Sequence, residues 1–177
     1  HRVDRRQRQM CIRDSNTNSR YLHESINALT KELLSTVPKE LSVVHYVNSG
    51  SEANELAIRM MKAHSGSNNI IVSQHGYHGN TNVCVDISSY KFDGKGGNGA
   101  PENTYVIPIP NNFNGKYKGN KTDDQYVSEI KKQIKKIKQD KRVLGGFIIE
   151  PIISCGGQVE LPKGCLLYTS PSPRDLS

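Results

Sequence analysis

The sequence predicts a three-layer α/β domain with a mostly parallel sheet, because strand-like and helix-like stretches alternate along it. Short runs rich in β-branched residues, "NNIIVSQ" and "VLGGFIIEP", read as strands, the second as a buried one. Between them Val127, Ile130, Ile134 and Ile137 recur at helical spacing and form one apolar stripe. Earlier, the strand-like Val43, Val44, Tyr46 and Val47 stop at Asn48-Ser49-Gly50-Ser51, and a helix pattern follows at once. At 177 residues the chain is long enough for one domain with a real core.

Taken in order, Leu22, Ile26, Leu29 and Leu33 fall on one helical face, and Pro38 limits that helix. Residues 42–47 read as a strand. The helix after Ser51 places Ala53, Leu56, Ala57 and Met60 on one side. "NVCVDI" fits a short strand or a short helix equally. "YKFDGKGGNGAPENT" reads as a glycine-rich loop, residues 104–109 as a strand, and "PNNFNGKYKGNKTDD" as a second loop. No internal repeat is present.

The two ends differ from what lies between them. "RQRQMCIRDS" and "CLLYTSPSPRDLS" lack the periodicity and caps of the intervening segment and resemble translated sequencing-adapter DNA. Gln9 to Asp14 can be encoded CAG ATG TGT ATA AGA GAC, continuing AG into Ser15. The reverse complement of that oligonucleotide, read from its second base, encodes Cys165-Leu166-Leu167-Tyr168-Thr169-Ser170. One oligonucleotide in two orientations thus explains both tails. The expected organisation is an artefact tail over 1–15, a native α/β segment over 16–164, and a second artefact tail over 165–177.

That division changes the charge reading. The first tail carries five arginines against two aspartates and supplies +3 of the formal +7, and the second is balanced. The remaining +4 is too little to argue for nucleic acid. The lysines at 131, 132, 135, 136 and 138 lie on the faces complementary to the isoleucine stripe, as solvated positions would, with no interleaved aromatic residues for stacking bases. No apolar run approaches a membrane span. Of the four cysteines, Cys84 and Cys155 lie in the native segment without a CxxC, so neither a disulfide framework nor a metal knuckle is indicated.

Three stretches carry chemistry. Gly50 and Ser51 begin a helix, where unpaired amides and the helix dipole favour an anion. The same spacing also fits a plain capping box of Ser49 with Glu52. In "SQHGYHGNTN", Tyr77 and His78 sit between two glycines just after a strand and offer a ring face and an imidazole from a tight loop. The plainer alternatives are a packed loop tyrosine and an ordinary surface histidine. A metal pair of His75 and His78 lacks further ligands at usual spacing, so no metal is expected. Glu150 ends a strand, where it can orient a ligand group or cap the sheet edge.

Together "VNSGSEANELAIR", "HGYHGNT" with "SSYKF" behind it, and "IIEPIISCGGQVELPKG" resemble the successive signatures of class-III aminotransferases, enzymes of pyridoxal-phosphate fold type I. The similarity is greatest to the alanine–glyoxylate aminotransferase 2-like and ethanolamine-phosphate phospho-lyase group, and it runs to Gly164. The resemblance implies pyridoxal 5'-phosphate as cofactor, with its phosphate on Gly50 and Ser51, its ring stacked on Tyr77 with His78 beside it, and Glu150 facing the site. It further implies a small amine or amino-acid substrate, a homodimeric parent enzyme, and a cytoplasmic location, or a mitochondrial one in a eukaryote. The family's Schiff-base lysine and the aspartate that pairs with the pyridinium nitrogen are expected past Gly164, and Lys163 does not match either. The chain is therefore expected to be the middle of an enzyme, without catalytic residues of its own and inactive alone. Two further readings are weighed against this one: a non-catalytic anion-binding α/β module, and a dinucleotide-binding domain, for which the G-x-G-x-x-G between strand and helix is missing.

Overall fold

A computed structural model of the chain describes residues 24–119 and 122–162. Leu22, Lys163 and both adapter-like tails lie outside the described residues. The chain divides into two units at Tyr46/Val47.

In the first unit, α1 spans Glu24–Ser35. Its last turn closes with the Thr36 amide donating to the Leu33 carbonyl at 3.1 Å, two residues before Pro38. Thr30 Oγ1 donates to the Ile26 carbonyl and lies 2.9 Å from the Tyr46 hydroxyl. The expected helix is present, but none of its residues is buried, Leu29 and Leu33 included. The strand expected over 42–47 is not formed. That stretch carries β-branched residues, yet no described segment supplies a ladder to satisfy its backbone, and Val43 is 72% exposed.

The second unit opens with α2, Gly50–Ser65. Ser49 is the N-cap: its Oγ accepts from the Glu52 amide at 3.1 Å, while the Glu52 carboxylate accepts from the Asn48 amide at 2.7 Å, completing a capping box. Gly66, in the left-handed region, ends the helix and donates to the Lys62 carbonyl. Next come β1 (Asn69–Ser73), α3 (Asn82–Asp86), α4 (Ser89–Phe92), β2 (Thr104–Ile107), α5 (Asp123–Gln139) and β3 (Leu144–Ile148). A hairpin of β4 (Ile152–Ile153) and β5 (Val159–Glu160) closes the described chain. "NVCVDI" is thus a helix, capped by Thr81, whose hydroxyl accepts from the Cys84 amide. The first expected loop opens as α4 before it turns.

The three longer strands form a parallel sheet in the order β2-β1-β3. Side chains of β1 alternate across it. Ile70 and Val72 join Ile58 of α2 and Ile87, while Ile71 joins Tyr105, Ile107, Ile130 and Ile137 on the α5 side. Helices therefore cover both faces, and the three-layer arrangement is present. The isoleucine stripe of α5 faces the sheet as expected, with the lysines on its outer faces. Tyr126, fully buried, adds to it: its hydroxyl donates to the Asn111 carbonyl at 2.9 Å and fixes the 111–119 loop.

Two expectations are corrected here. Of α2 only Ile58 is buried, with Asn54 and Met61 half-buried beside it, whereas Ala53, Ala57 and Met60 are exposed, Met60 at 51%, and Leu56 is half-buried. Counting only apolar residues misplaces the stripe, because the inward face carries a polar residue with a partner. β3 is half-buried along its whole length rather than buried, since it stands at an edge of the sheet and pairs only with β1 among the described strands. Between Asn69 and Ile70 the register slips by one residue, so Leu144 and Phe147 both reach the α5 face.

Candidate active site

The carboxyl ends of β1 and β3 meet the N-terminus of α2, the place where open α/β sheets bind ligands. From β1 the chain runs through Gln74, whose amide extends the ladder to the Ile107 carbonyl, and then turns sharply at His75, with φ 60°. The following loop is fastened to α2 at three points. The Asn80 amide donates to Ser51 Oγ at 3.0 Å, Asn54 Nδ2 donates to the His78 carbonyl at 2.7 Å, and Thr81 Oγ1 donates to Glu55. Gly79 makes this contact possible: its φ is +132°, and a Cβ there would lie 2.7 Å from Ser51 Oγ.

At the helix start, the capping box and the anion seat coexist. The box engages the amides of Asn48 and Glu52 and leaves those of Gly50 and Ser51, in the first turn, with no intrahelical acceptor. The space where a Gly50 side chain would stand is open, with no atom within 4 Å. Ser51 Oγ accepts from Asn80, which leaves its proton to donate outward.

Tyr77 is half-buried, and its amide donates to Glu150 Oε1 at 2.7 Å. The other oxygen of Glu150 accepts from the amide and hydroxyl of Ser154, both at 3.2 Å. Glu150 therefore does more than cap an edge: it ties the end of β3 to the Tyr77 loop and to the β4–β5 turn. His78 is buried at 4% exposure, so it is not a surface histidine. Its amide donates to Ser88 Oγ at 2.8 Å, and its Nε2 is a buried atom without a hydrogen-bond partner. Burial holds its pKa below the ordinary imidazole value, opposed by the charge of Glu150, so the ring is neutral near pH 7.

Gly50, Ser51, Tyr77, His78 and Glu150 are thus gathered into one region by loop 74–81. Sequence reasoning missed the groups that gather them: Asn54, Asn80, Ser88 and Ser89. Their contacts span 10 to 29 positions, and no local spacing signals them. Among the described residues no cluster of His, Cys, Asp and Glu is suited to a metal ion. No helix there is long and apolar enough to cross a membrane.

A parallel sheet with helices on both faces, and with a helix N-terminus, a ring and a carboxylate at its carboxyl edge, is an α/β domain of the kind that binds ligands there. The sequence profile of the family Aminotransferase class-III matches residues 12–167, and the chain belongs to that family. An alanine–glyoxylate aminotransferase 2-like protein of Drosophila melanogaster is 36% identical over 153 residues, 84% of this chain and 31% of that protein. An ethanolamine-phosphate phospho-lyase homolog 1 of Caenorhabditis elegans is 31% identical over 160 residues, again 84% of this chain and 34% of that protein. Among solved structures, a phospholyase from Arthrobacter in complex with phosphoethanolamine superposes with a TM-score of 0.76 at 25% identity, covering 94% of this chain and 39% of that one. A taurine:2-oxoglutarate aminotransferase from Bifidobacterium kashiwanohense, in complex with PLP and glutamate, shares the fold at 18% identity, with a TM-score of 0.69 over 94% of this chain and 38% of that one. The chain spans about a third of the length of the curated relatives it matches.

Pyridoxal phosphate is the cofactor indicated by this family. The residues present fit its phosphate: two helix amides without intrahelical acceptors, a serine hydroxyl and open space before Gly50.

Proposed function

We propose that this chain carries the phosphate-binding and ring-binding part of a pyridoxal-phosphate enzyme acting on a small amine, by amino-group transfer or by elimination of phosphate from a phosphorylated amino alcohol. When bound, the cofactor supplies the electron sink for carbanion chemistry. The chain's own residues bind and orient it. Gly50 and Ser51 take the phosphate, Tyr77 takes the face of the ring, and Glu150 holds the Tyr77 backbone. Neutral His78 packs against Gly76 rather than presenting a charge.

The observation that carries the reading is the joining of the three motifs, Ser51 to Asn80 and Tyr77 to Glu150, at one sheet edge. In the complete protein the reading extends to a homodimer and to a cytoplasmic location. The 177-residue chain is expected to turn over no amine donor by itself.

An NMR titration tests the site. Pyridoxal phosphate is expected to shift the amide signals of Asn48 to Glu52 and the ring signals of Tyr77 at concentrations where inorganic phosphate shifts only the former. Equal response to both ligands at Asn48 to Glu52, with Tyr77 silent, would support instead an anion-binding module without chemistry. Shifts confined to α5 would remove the site altogether. In the complete protein, release of inorganic phosphate from phosphoethanolamine, set against transfer of an amino group to a 2-oxo acid, separates the two reactions.

A further inference from the structure

The segment Ser88-Ser89-Tyr90-Lys91 has no part in the proposed cofactor contacts, yet it brackets the Tyr77 loop. Ser89 Oγ accepts from the His75 amide at 2.6 Å, and Ser88 Oγ accepts from the His78 amide at 2.8 Å. The Tyr90 amide donates to the Gly76 carbonyl at 3.2 Å. Both serines are buried, as is His78, so the His78 amide has no water to turn to. Ser88 is in turn oriented by donating to the Cys84 carbonyl. These bonds fix the backbone on both sides of Tyr77.

The ring is held as well as the backbone. Tyr90 meets it edge-on, with centroids 6.2 Å apart and planes at 79°. The Lys91 ammonium lies 5.6 Å from the Tyr77 centroid and 5.9 Å from that of Tyr90, so one cation bridges two ring faces. Among the described residues, Lys91 makes no ion pair with a carboxylate. Its charge is therefore directed at the rings.

We infer that Ser88–Lys91 is a positioning clamp for Tyr77. The serines set the loop, while Tyr90 and Lys91 occupy the edge and one face of the ring, leaving the opposite face for a planar ligand. This inference rests on the assignment of Tyr77 as the stacking residue. None of the four residues is among the proposed cofactor contacts, so they act through Tyr77.

The test uses the full chain with 13C-labelled tyrosine, the Tyr77 signals being assigned with Tyr77→Phe. Lys91→Met keeps the apolar stem and removes the charge, Lys91→Arg keeps a cation, and Ser89→Ala removes one acceptor. Lys91→Met and Ser89→Ala are each expected to move the Tyr77 ring signals, to leave those of Tyr126 in place, and to weaken pyridoxal phosphate by about two- to fivefold. Lys91→Arg is expected to restore both readouts. Unmoved Tyr77 signals in both variants, or an affinity that ignores them, overturn the clamp. So does a Lys91→Arg protein indistinguishable from Lys91→Met. If the unaltered chain binds no pyridoxal phosphate, the functional reading fails, but the ring signals of the unliganded chain still decide whether the clamp exists.

Discussion

At the scale of single residues, the geometry separates what a side chain presents from what it supports. Tyr77 offers a ring, and its backbone, not its hydroxyl, makes the bond to Glu150. Tyr77→Ala is therefore expected to weaken cofactor binding several-fold more than Tyr77→Phe, measured by fluorescence titration with pyridoxal phosphate. Equal losses would assign the work to the hydroxyl. His78 behaves differently, because its lowered pKa makes the unfolded chain the better proton acceptor. Its neutral form is favoured in the fold, so stability is full above the ordinary imidazole value of 6.5 and declines as pH falls below it. Denaturation midpoints between about pH 7.5 and about pH 5 should fall more steeply for the unaltered chain than for His78→Gln. The motifs that hold the five candidate residues were legible in the sequence, those of Tyr77 with His78 and of Glu150 beside strand ends and that of Gly50 with Ser51 at a helix start. Burial of His78 was not, since it depends on Ser88 and Gly76 closing over it.

At the scale of elements, the clearest example is α5 and the loop it restrains. Glu129 is a buried carboxylate that accepts from the Tyr117 hydroxyl, from Lys132 at 2.9 Å and from Lys116 at 3.1 Å. Tyr117 foremost, then the two lysines, push its pKa down to about 2 against the opposing effect of burial. A depressed carboxylate contributes stability above its ordinary value of 4.5 that is lost as pH falls toward about 2. Glu129→Gln is expected to cost about 1–3 kcal/mol in denaturant unfolding at pH 7 and to flatten the acid limb. The slipped register at the start of β3 gives a second prediction. A Cβ at Gly146 would stand 2.5 Å from Met61 Sδ, so Gly146→Ala should destabilise, and Met61→Ala should recover part of the loss as a coupling in the double-mutant cycle. Periodicity revealed α5 because its apolar residues face one layer, whereas β1 showed as a continuous apolar run because it is buried on both faces. Periodicity misplaced the face of α2, where Asn54 turns inward to bond the His78 carbonyl. It also promised a strand at 42–47 that has no ladder partner among the described residues.

At the scale of the whole chain, the three-layer plan followed from alternation alone, but the order β2-β1-β3 did not, since pairing between distant segments leaves no local mark. The adapter-like reading of 1–15 and 165–177 is a proposal about the nucleic acid and is decided there: a genomic clone from the source encoding "QMCIRDS" in frame would refute it. The central position of β1 has a kinetic consequence. One of its edges waits for β2, and the other waits for β3, whose neighbourhood is tied to β1 by the Asn69 side chain and the Val143 carbonyl, 74 positions apart. No hairpin joins the three described strands, so the chain must close long loops before the hydrogen bonds of the middle one repay the search. The amides of Ile71 and Val72 should therefore be the last to gain protection during refolding, in pulse-labelling hydrogen exchange, and the slowest to lose it once the native state is reached.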